Sequence, residues 1–181
     1  MAQATITGKE IKDLNIPLEH DVFLRNVIRE LTGLLEDMVG LEETSGFISV
    51  VGQNIGSEIN QLYRQALKIP KLNRKQVAEI LADLKDRING NFFIEEQNDT
   101  KIVLRSKVCP FAENVKDRTS LCMMTSNVFG VITADNLGYA KVDLEKTIAR
   151  GDSECRVVVY LVSDDKQTQS AYGREYHGAE K

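Results

Sequence analysis

Residues 92–108 read FFIEEQNDTKIVLRSKV, and how this stretch is read decides the fold. Before it, apolar residues recur every three or four positions. Within it they crowd into two β-prone runs, 92–97 and 100–108, separated by Asn98 and Asp99. Two such runs around a short polar turn predict a β-hairpin.

Upstream, the helical period predicts three helices. Over 18–39, Val22, Phe23, Val27, Ile28, Leu31, Leu34, Leu35 and Met38 form a stripe wide enough for both a core and a partner helix. Gly40 ends it, and 41–46 reads as a connector. Over 47–68, Ile48, Val51, Ile55, Ile59, Leu62, Tyr63 and Ala66 carry the apolar face. Gly52 and Gly56 lie one turn apart there, each costing about 1 kcal/mol of helix propensity against alanine. Close approach of another helix, or of a ligand, is the expected compensation. Pro70 breaks this helix. Asn73 followed by Gln76 resembles a capping box and opens a third helix through Val77, Ile80, Leu81, Leu84 and Ile88, stopped by Asn89-Gly90-Asn91.

Downstream, 109–119 is irregular and Ser120 is placed to cap a helix over 121–135. Strands follow at 140–149 and 155–163, joined by a tight turn at 150–154. The order ααα-ββ-α-ββ predicts an α+β fold, with N-terminal helices packed on a four-stranded antiparallel sheet. Residues 1–17 read as an arm, 18–163 as one domain and 164–181 as a polar, mobile tail.

The 181 residues carry a net charge of −4, which argues against a free-standing nucleic-acid binder. No apolar run is long enough to span a membrane, and the polar N-terminus does not resemble a secretory signal. The expected location is the cytoplasm. In a reducing compartment the three cysteines are small hydrophobes, reactive thiols or metal ligands rather than disulfide partners.

Cys109 ends the second strand, Cys122 opens the fourth helix and Cys155 begins the last strand. All three fall at junctions near one sheet edge. A helix N-terminus favours thiolate, so Cys122 is expected to be acidified. Pro110 stiffens the loop beside Cys109, and a Cys-Pro pair is frequent in iron–sulfur sites. Three thiolates suit an iron–sulfur cluster, or zinc with a fourth ligand from Glu113, Asp117, Glu145, Asp152 or an exogenous molecule. His20 and His177 lie in peripheral segments, which leaves a cysteine nucleophile without an obvious base. Ordinary packing of the thiols is the competing explanation.

The combination Cys-Pro-Phe at 109–111, Leu-Cys-x-Met at 121–124 and Gly-Asp-x-x-Cys-x-Val at 151–157 resembles the methanogen output domain family. The resemblance spans about residues 20–163. It implies a sensory or output module of signalling proteins. The element order is also similar to the four-vinyl-reductase and heme-nitric-oxide-binding group, which includes trafficking subunits. That group packs helices on an antiparallel sheet, dimerises and binds small apolar ligands or cofactors. Several four-vinyl-reductase members hold zinc through cysteines and a glutamate. By that likeness Cys122 and Cys155 are ligands, with Cys109 replacing a cysteine that those proteins carry where this chain has Thr147. A more distant similarity is to amidine-ring hydrolases with a cysteine nucleophile.

The resulting expectation is a homodimeric sensor domain joined through its N-terminal helices. Cys109, Cys122 and Cys155 hold an iron–sulfur cluster or zinc and sense redox state, a gas or a small ligand for a signalling partner. A cysteine-dependent hydrolase and a non-catalytic scaffold are the alternatives.

Overall fold

The structure, a computed structural model, describes residues 8–164 and 166–178. Residues 1–7 of the expected arm and 179–181 of the expected tail lie outside them. A short helix α1 (Gly8–Lys12) precedes α2 (His20–Val39), α3 (Leu41–Leu67) and α4 (Arg74–Asp86). The hairpin β1 (Phe93–Gln97) and β2 (Lys101–Ser106) comes next, followed by α5 (Cys122–Leu137), β3 (Tyr139–Lys146), β4 (Cys155–Tyr160), α6 (Lys166–Ser170) and β5 (Arg174–His177).

The sheet is antiparallel throughout, in the order β1-β2-β4-β3-β5. The fold is α+β as expected, with five strands in place of four. The fifth comes from the region read as a polar tail. Tyr176 is the reason: its ring is buried against the bare backbone of Gly130 on α5, where a Cβ would lie 2.2 Å from the ring. Its hydroxyl pairs with Ser126 at 2.9 Å. One anchoring aromatic in a polar stretch leaves no alternation to read.

The core lies on one sheet face. Ile102 and Leu104 of β2, Val142 of β3, and Val157 and Val159 of β4 meet Val77, Ile80, Leu81 and Leu84 of α4 and Val128, Phe129 and Ile132 of α5. The β2–β4 register pairs Leu104 with Val157 and Ile102 with Val159, so alternate side chains build one apolar surface. Helix α4 starts with the expected capping box, in which Asn73 and Gln76 satisfy each other's backbone N–H groups. Helix α5 is enclosed by the sheet, α3 and β5, which matches a sequence without a polar face until Asp135.

Helix α3 crosses α5 where Gly52 and Gly56 remove side-chain bulk. A Cβ at Gly52 would meet the Asn127 Cβ at 2.8 Å, and one at Gly56 would meet the Val128 Cα at 3.1 Å. The glycine patch therefore serves helix packing. Helix α3 also begins at Leu41, directly after Gly40 (φ 88°), so the connector expected at 41–46 is helical instead.

The outer helices turn polar and small residues inward and apolar ones outward. The buried residues of α2 and α3 are Thr32, Gly33, Thr44, Ser49, Gly52, Gly56 and Asn60. Thr32, Thr44 and Ser49 satisfy their hydroxyls on carbonyls four residues back. Leu24, Val27, Ile28, Leu31, Leu34, Met38, Phe47, Val50 and Val51 are exposed, Leu31 to 57% and Met38 to 71%. The stripe at 22–39, expected to serve both a core and a partner, serves no core beyond half-buried Val22 and Leu35.

Candidate functional site

Register brings two cysteines together. Cys155, the first residue of β4, sits opposite Ser106, the last of β2. Ser106 holds the exit from β2 by donating to the carbonyls of Gly90 (2.5 Å) and Val108 (2.9 Å), and Cys109 follows directly. The chain then makes two short 3-10 turns, Ala112–Val115 and Thr119–Leu121, and enters α5 at Cys122. All three cysteines line one cavity of about 30 Å³, whose walls include Phe92, Phe111, Val115, Leu121, Leu144 and Val157. The three are free thiols and half-buried.

The Phe111 backbone N–H, the Ile148 backbone N–H and the Thr147 hydroxyl favour the thiolates of Cys109, Cys155 and Cys122 respectively, each by less than burial opposes them. Thr147 is held in turn. Its backbone N–H donates to Asp152 (2.7 Å), and its Oγ1 accepts from the Arg150 backbone N–H and Nε.

Burial dominates the thiol chemistry. It raises all three thiols above the ordinary range, and Cys122 is pushed up to about 11, with the neighbouring Cys155 adding to the rise. This corrects the expected acidification of Cys122: desolvation outweighs the position at the head of α5. Ser120 does not cap that helix. Its hydroxyl donates to Glu36 of α2 instead (2.6 Å).

Three of the four candidate carboxylates are engaged elsewhere. Glu113 pairs with Lys116 at the surface, Glu145 with Arg156, and Asp152 with the Thr147 amide. Asp117 donates its backbone N–H to Ala149. None of the four lines the cavity, and neither does His20 or His177. As the side chains stand, no three His, Cys, Asp or Glu among the described residues are grouped as a ligand set.

The residue that sequence reasoning missed is Lys85. It is 4% exposed. Its Nζ donates to Thr125 Oγ1 (2.7 Å) and lies over the rings of Phe92 (5.5 Å) and Phe129 (5.4 Å). Phe92 and Thr125 are also cavity walls. Burial lowers Lys85 from 10.5 to about 8, while attraction to Cys109, Cys155 and Cys122, in that order, holds it up. A signal was present: 77, 81 and 85 are spaced four apart on the face that Val77 and Leu81 bury.

The segment between Cys109 and Cys122 is fastened to α2. Arg29 donates to the carbonyls of Asn114 (2.6 Å) and Lys116 (2.8 Å), and Asn114 donates to Asn26 (2.7 Å). Glu36 receives Ser120 and pairs with Arg118 at 3.5 Å. The guanidinium of Arg118 lies against Gly33, where a Cβ would come within 2.6 Å of Nη2. The polar face of α2 therefore grips the loop that carries two of the thiols.

Among solved structures, the chain is similar in fold to the phenol-responsive sensory domain of the transcription activator PoxR, crystallised with phenol. The TM-score is 0.62 at 12% identity, over 86% of this chain and 81% of that one. It is also similar to a trafficking protein particle complex subunit 3 from Naegleria fowleri covalently bound to palmitic acid. There the TM-score is 0.56 at 15% identity, over 78% of this chain and 95% of that one. No curated protein sequence matches the chain. No helix among the described residues is long and apolar enough to cross a membrane. The model of methanogen output domain 1 matches residues 27–160, and the chain belongs to that family.

Proposed function

We propose that this chain is a dimeric signalling module for a reducing compartment, whose sensory site is the three-thiol cavity and whose occupant is a soft metal ion of the zinc class. One observation carries the reading: thiols from three separate elements line one cavity. Thiolate is the ligand form, and binding an ion would offset the burial that keeps the three thiols protonated. Cys109, Cys122 and Cys155 would hold the ion, with the fourth position left to an exogenous ligand. When bound, it would supply a Lewis-acidic centre open to small donors. Gathering the sulfurs into a ligand set requires side-chain rotation at the cavity wall.

Size argues for one ion. A cavity of about 30 Å³ has room for an atom-sized guest, whereas a dry cavity that takes benzene measures about 150 Å³. An iron–sulfur cluster needs the walls to part. The second reading, a small apolar ligand, is favoured by the carbon-rich lining and by the ligands named for the two similar structures, and it needs the same opening. A hydrolase finds no imidazole among the cavity walls.

The signal route follows from the grip of α2. Movement of the 109–122 loop on ligation pulls on Arg29 and Glu36 and so on α2, whose opposite face is the exposed apolar stripe. Leu24, Val27, Leu31, Leu34 and Met38 are spaced alternately three and four apart, the seam of a two-helix pair. The partner proposed for that seam is α2 of a second copy.

The test is elemental analysis and an absorption spectrum of anaerobically purified protein. Stoichiometric zinc that is lost in each of C109S, C122S and C155S supports the reading. Brown protein absorbing near ~400 nm moves the assignment to a cluster. No metal uptake by the reduced protein, with zinc or iron and sulfide supplied, ends it.

A further inference from the structure

Helix α3 carries a polar stripe that lies apart from the cysteines. Ser57, Asn60, Arg64 and Lys68 recur at three- and four-residue spacing, which puts them on one face. That face meets the C-terminal end of α5, where Asp135 is the one charged residue of the helix. Lys68 closes α3 in the left-handed conformation (φ 55°), so the chain turns back over the helix end through Pro70. These residues line an open cavity of about 560 Å³, which shares no wall residue with the cysteine cavity. A chain of amides fixes its walls. The Leu72 backbone N–H donates to Asn136 Oδ1 (2.8 Å), Asn136 Nδ2 donates to Asn60 Oδ1 (2.8 Å), and Asn60 Nδ2 donates to Asp135 (3.1 Å). Asn60 and Asn136 are 2% and 1% exposed. A satisfied buried polar network is rigid, so α3, α5 and the turn after α3 hold their spacing before anything binds.

The charges on those walls do not answer one another. Among the described residues, Asp135 has no cationic nitrogen within 4 Å, and neither Arg64 nor Lys68 has a carboxylate oxygen that close. The Asp135 carboxylate is held by the neutral Asn60 amide. Asp135 and Ser57 also wall an adjoining cavity of about 390 Å³, whose other acid, Glu175, pairs with Lys141 at 3.5 Å. The site therefore has an anionic end at Asp135 and a cationic end at Arg64 and Lys68. We propose that this cavity binds a small zwitterion carrying a free α-ammonium and a free carboxylate, either an amino acid or a dipeptide. The ammonium is received by Asp135 and the Ser57 hydroxyl oxygen, and the carboxylate by Arg64 and Lys68. The volume lies in the range of small-molecule sites, and charge-assisted hydrogen bonds of this kind are about twice as strong as neutral ones. A plain amine or a plain acid satisfies one end and leaves the other unanswered. The proposal is independent of any metal at the cysteines.

The experiment is titration calorimetry on the full chain with each common amino acid and with a set of dipeptides, which decides the length of the ligand. The N-acetylated and carboxamide forms of each binder serve as single-charge controls. Wild type, D135N, the double variant R64Q/K68Q and C122S are compared. Asparagine at 135 keeps an oxygen for the Asn60 amide and removes the charge, and Arg64 and Lys68 reach the cavity from the rim, so the variants are expected to fold. At least one zwitterion should bind wild type. D135N and R64Q/K68Q should each weaken it about tenfold or more, as the loss of a hydrogen bond to a charged group implies. Both blocked forms should weaken by a similar factor, and C122S should bind as wild type does. Absence of binding by every zwitterion at millimolar concentration overturns the proposal. So does binding of a blocked form as tight as that of its parent, since recognition is then not two-ended. Binding unchanged in D135N and R64Q/K68Q, or lost in C122S, places the ligand elsewhere and overturns the assignment to this cavity.

Discussion

Helices α4 and α2 are both amphipathic, yet they point their apolar faces in opposite directions. Helix α4 buries Val77, Ile80, Leu81 and Leu84 against the sheet and turns its charges, Lys85 excepted, outward. Helix α2 turns Arg29, Thr32, Gly33 and Glu36 toward the body and Leu31, Leu34 and Met38 away from it. The apolar stripes of the two helices look alike in sequence. The difference shows that an apolar stripe does not by itself say which way it faces. On α4 it is the domain's own core. On α2 it is exposed, and it is the face proposed above for a second copy, while the polar face does the intramolecular work of holding the cysteine loop.

The largest effect that sharpens this contrast is expected in α4. Leu81→Ala removes a fully buried side chain and should cost about 2–5 kcal/mol in urea unfolding. A smaller cost would mean that α4 packs loosely and that the contrast is overstated. At the α3–α5 crossing, Gly52→Val should destabilise by about 1–3 kcal/mol through overpacking against Asn127 and Met124. Helix propensity alone predicts the opposite sign, so the sign of the change in denaturant midpoint decides between them.

The buried face of α4 also carries Lys85, which makes its stability depend on pH. In metal-free protein the folded-state value lies near 8, below the ordinary 10.5, so between about pH 8 and 9 the unfolded chain holds the extra proton. Stability should rise by about 1 kcal/mol across that interval. From about pH 9 the rise levels off, because Cys122 stays protonated in the folded state after the unfolded thiol has ionised and so opposes Lys85, and above about pH 10.5, where the unfolded lysine has also lost its proton, stability falls. K85M should abolish the rise and C122A should flatten the fall, both read from urea curves at fixed ionic strength. At the head of α4, Asn73→Ala breaks the capping box and should cost about 1 kcal/mol by the same measurement.

The smallest change in stability is expected on α2. Leu31→Ser alters an exposed side chain and should move monomer stability by no more than about 0.5 kcal/mol. It should nonetheless abolish self-association in sedimentation equilibrium if the seam joins two copies. A monomeric wild type, or a dimer untouched by the substitution, breaks the assignment of that face.

Much of the fold was legible because local chemistry decided it. The hairpin at 92–108, the Asn73–Gln76 cap and the stripe of α4 each follow from spacing that survives in the folded chain. Strand β5 was illegible because its anchors lie far away in sequence, Tyr176 against a glycine forty-six positions earlier and Arg174 on Ser49, and no local pattern records such partners. The inward-facing polar stripe of α2 was hidden for a related reason. Its partners Asn114, Lys116, Arg118 and Ser120 lie more than eighty residues away.

The candidate site divides in the same way. Three cysteines at element junctions could be read from the chain, since each sits where a turn meets a strand or a helix. Their thiol chemistry could not. A helix N-terminus is a local feature that lowers a thiol, but desolvation depends on which walls close around it, and those walls come from five different parts of the chain. Lys85 lay in register with Val77 and Leu81 throughout, and only the packing of Phe92, Phe129 and Thr125 around it shows that a charge is buried there. By itself the sequence determined where the thiols stand along the chain. The tertiary structure decided that they share one carbon-lined cavity that raises all three, because the dielectric around a group is set by its neighbours in space rather than by those in sequence.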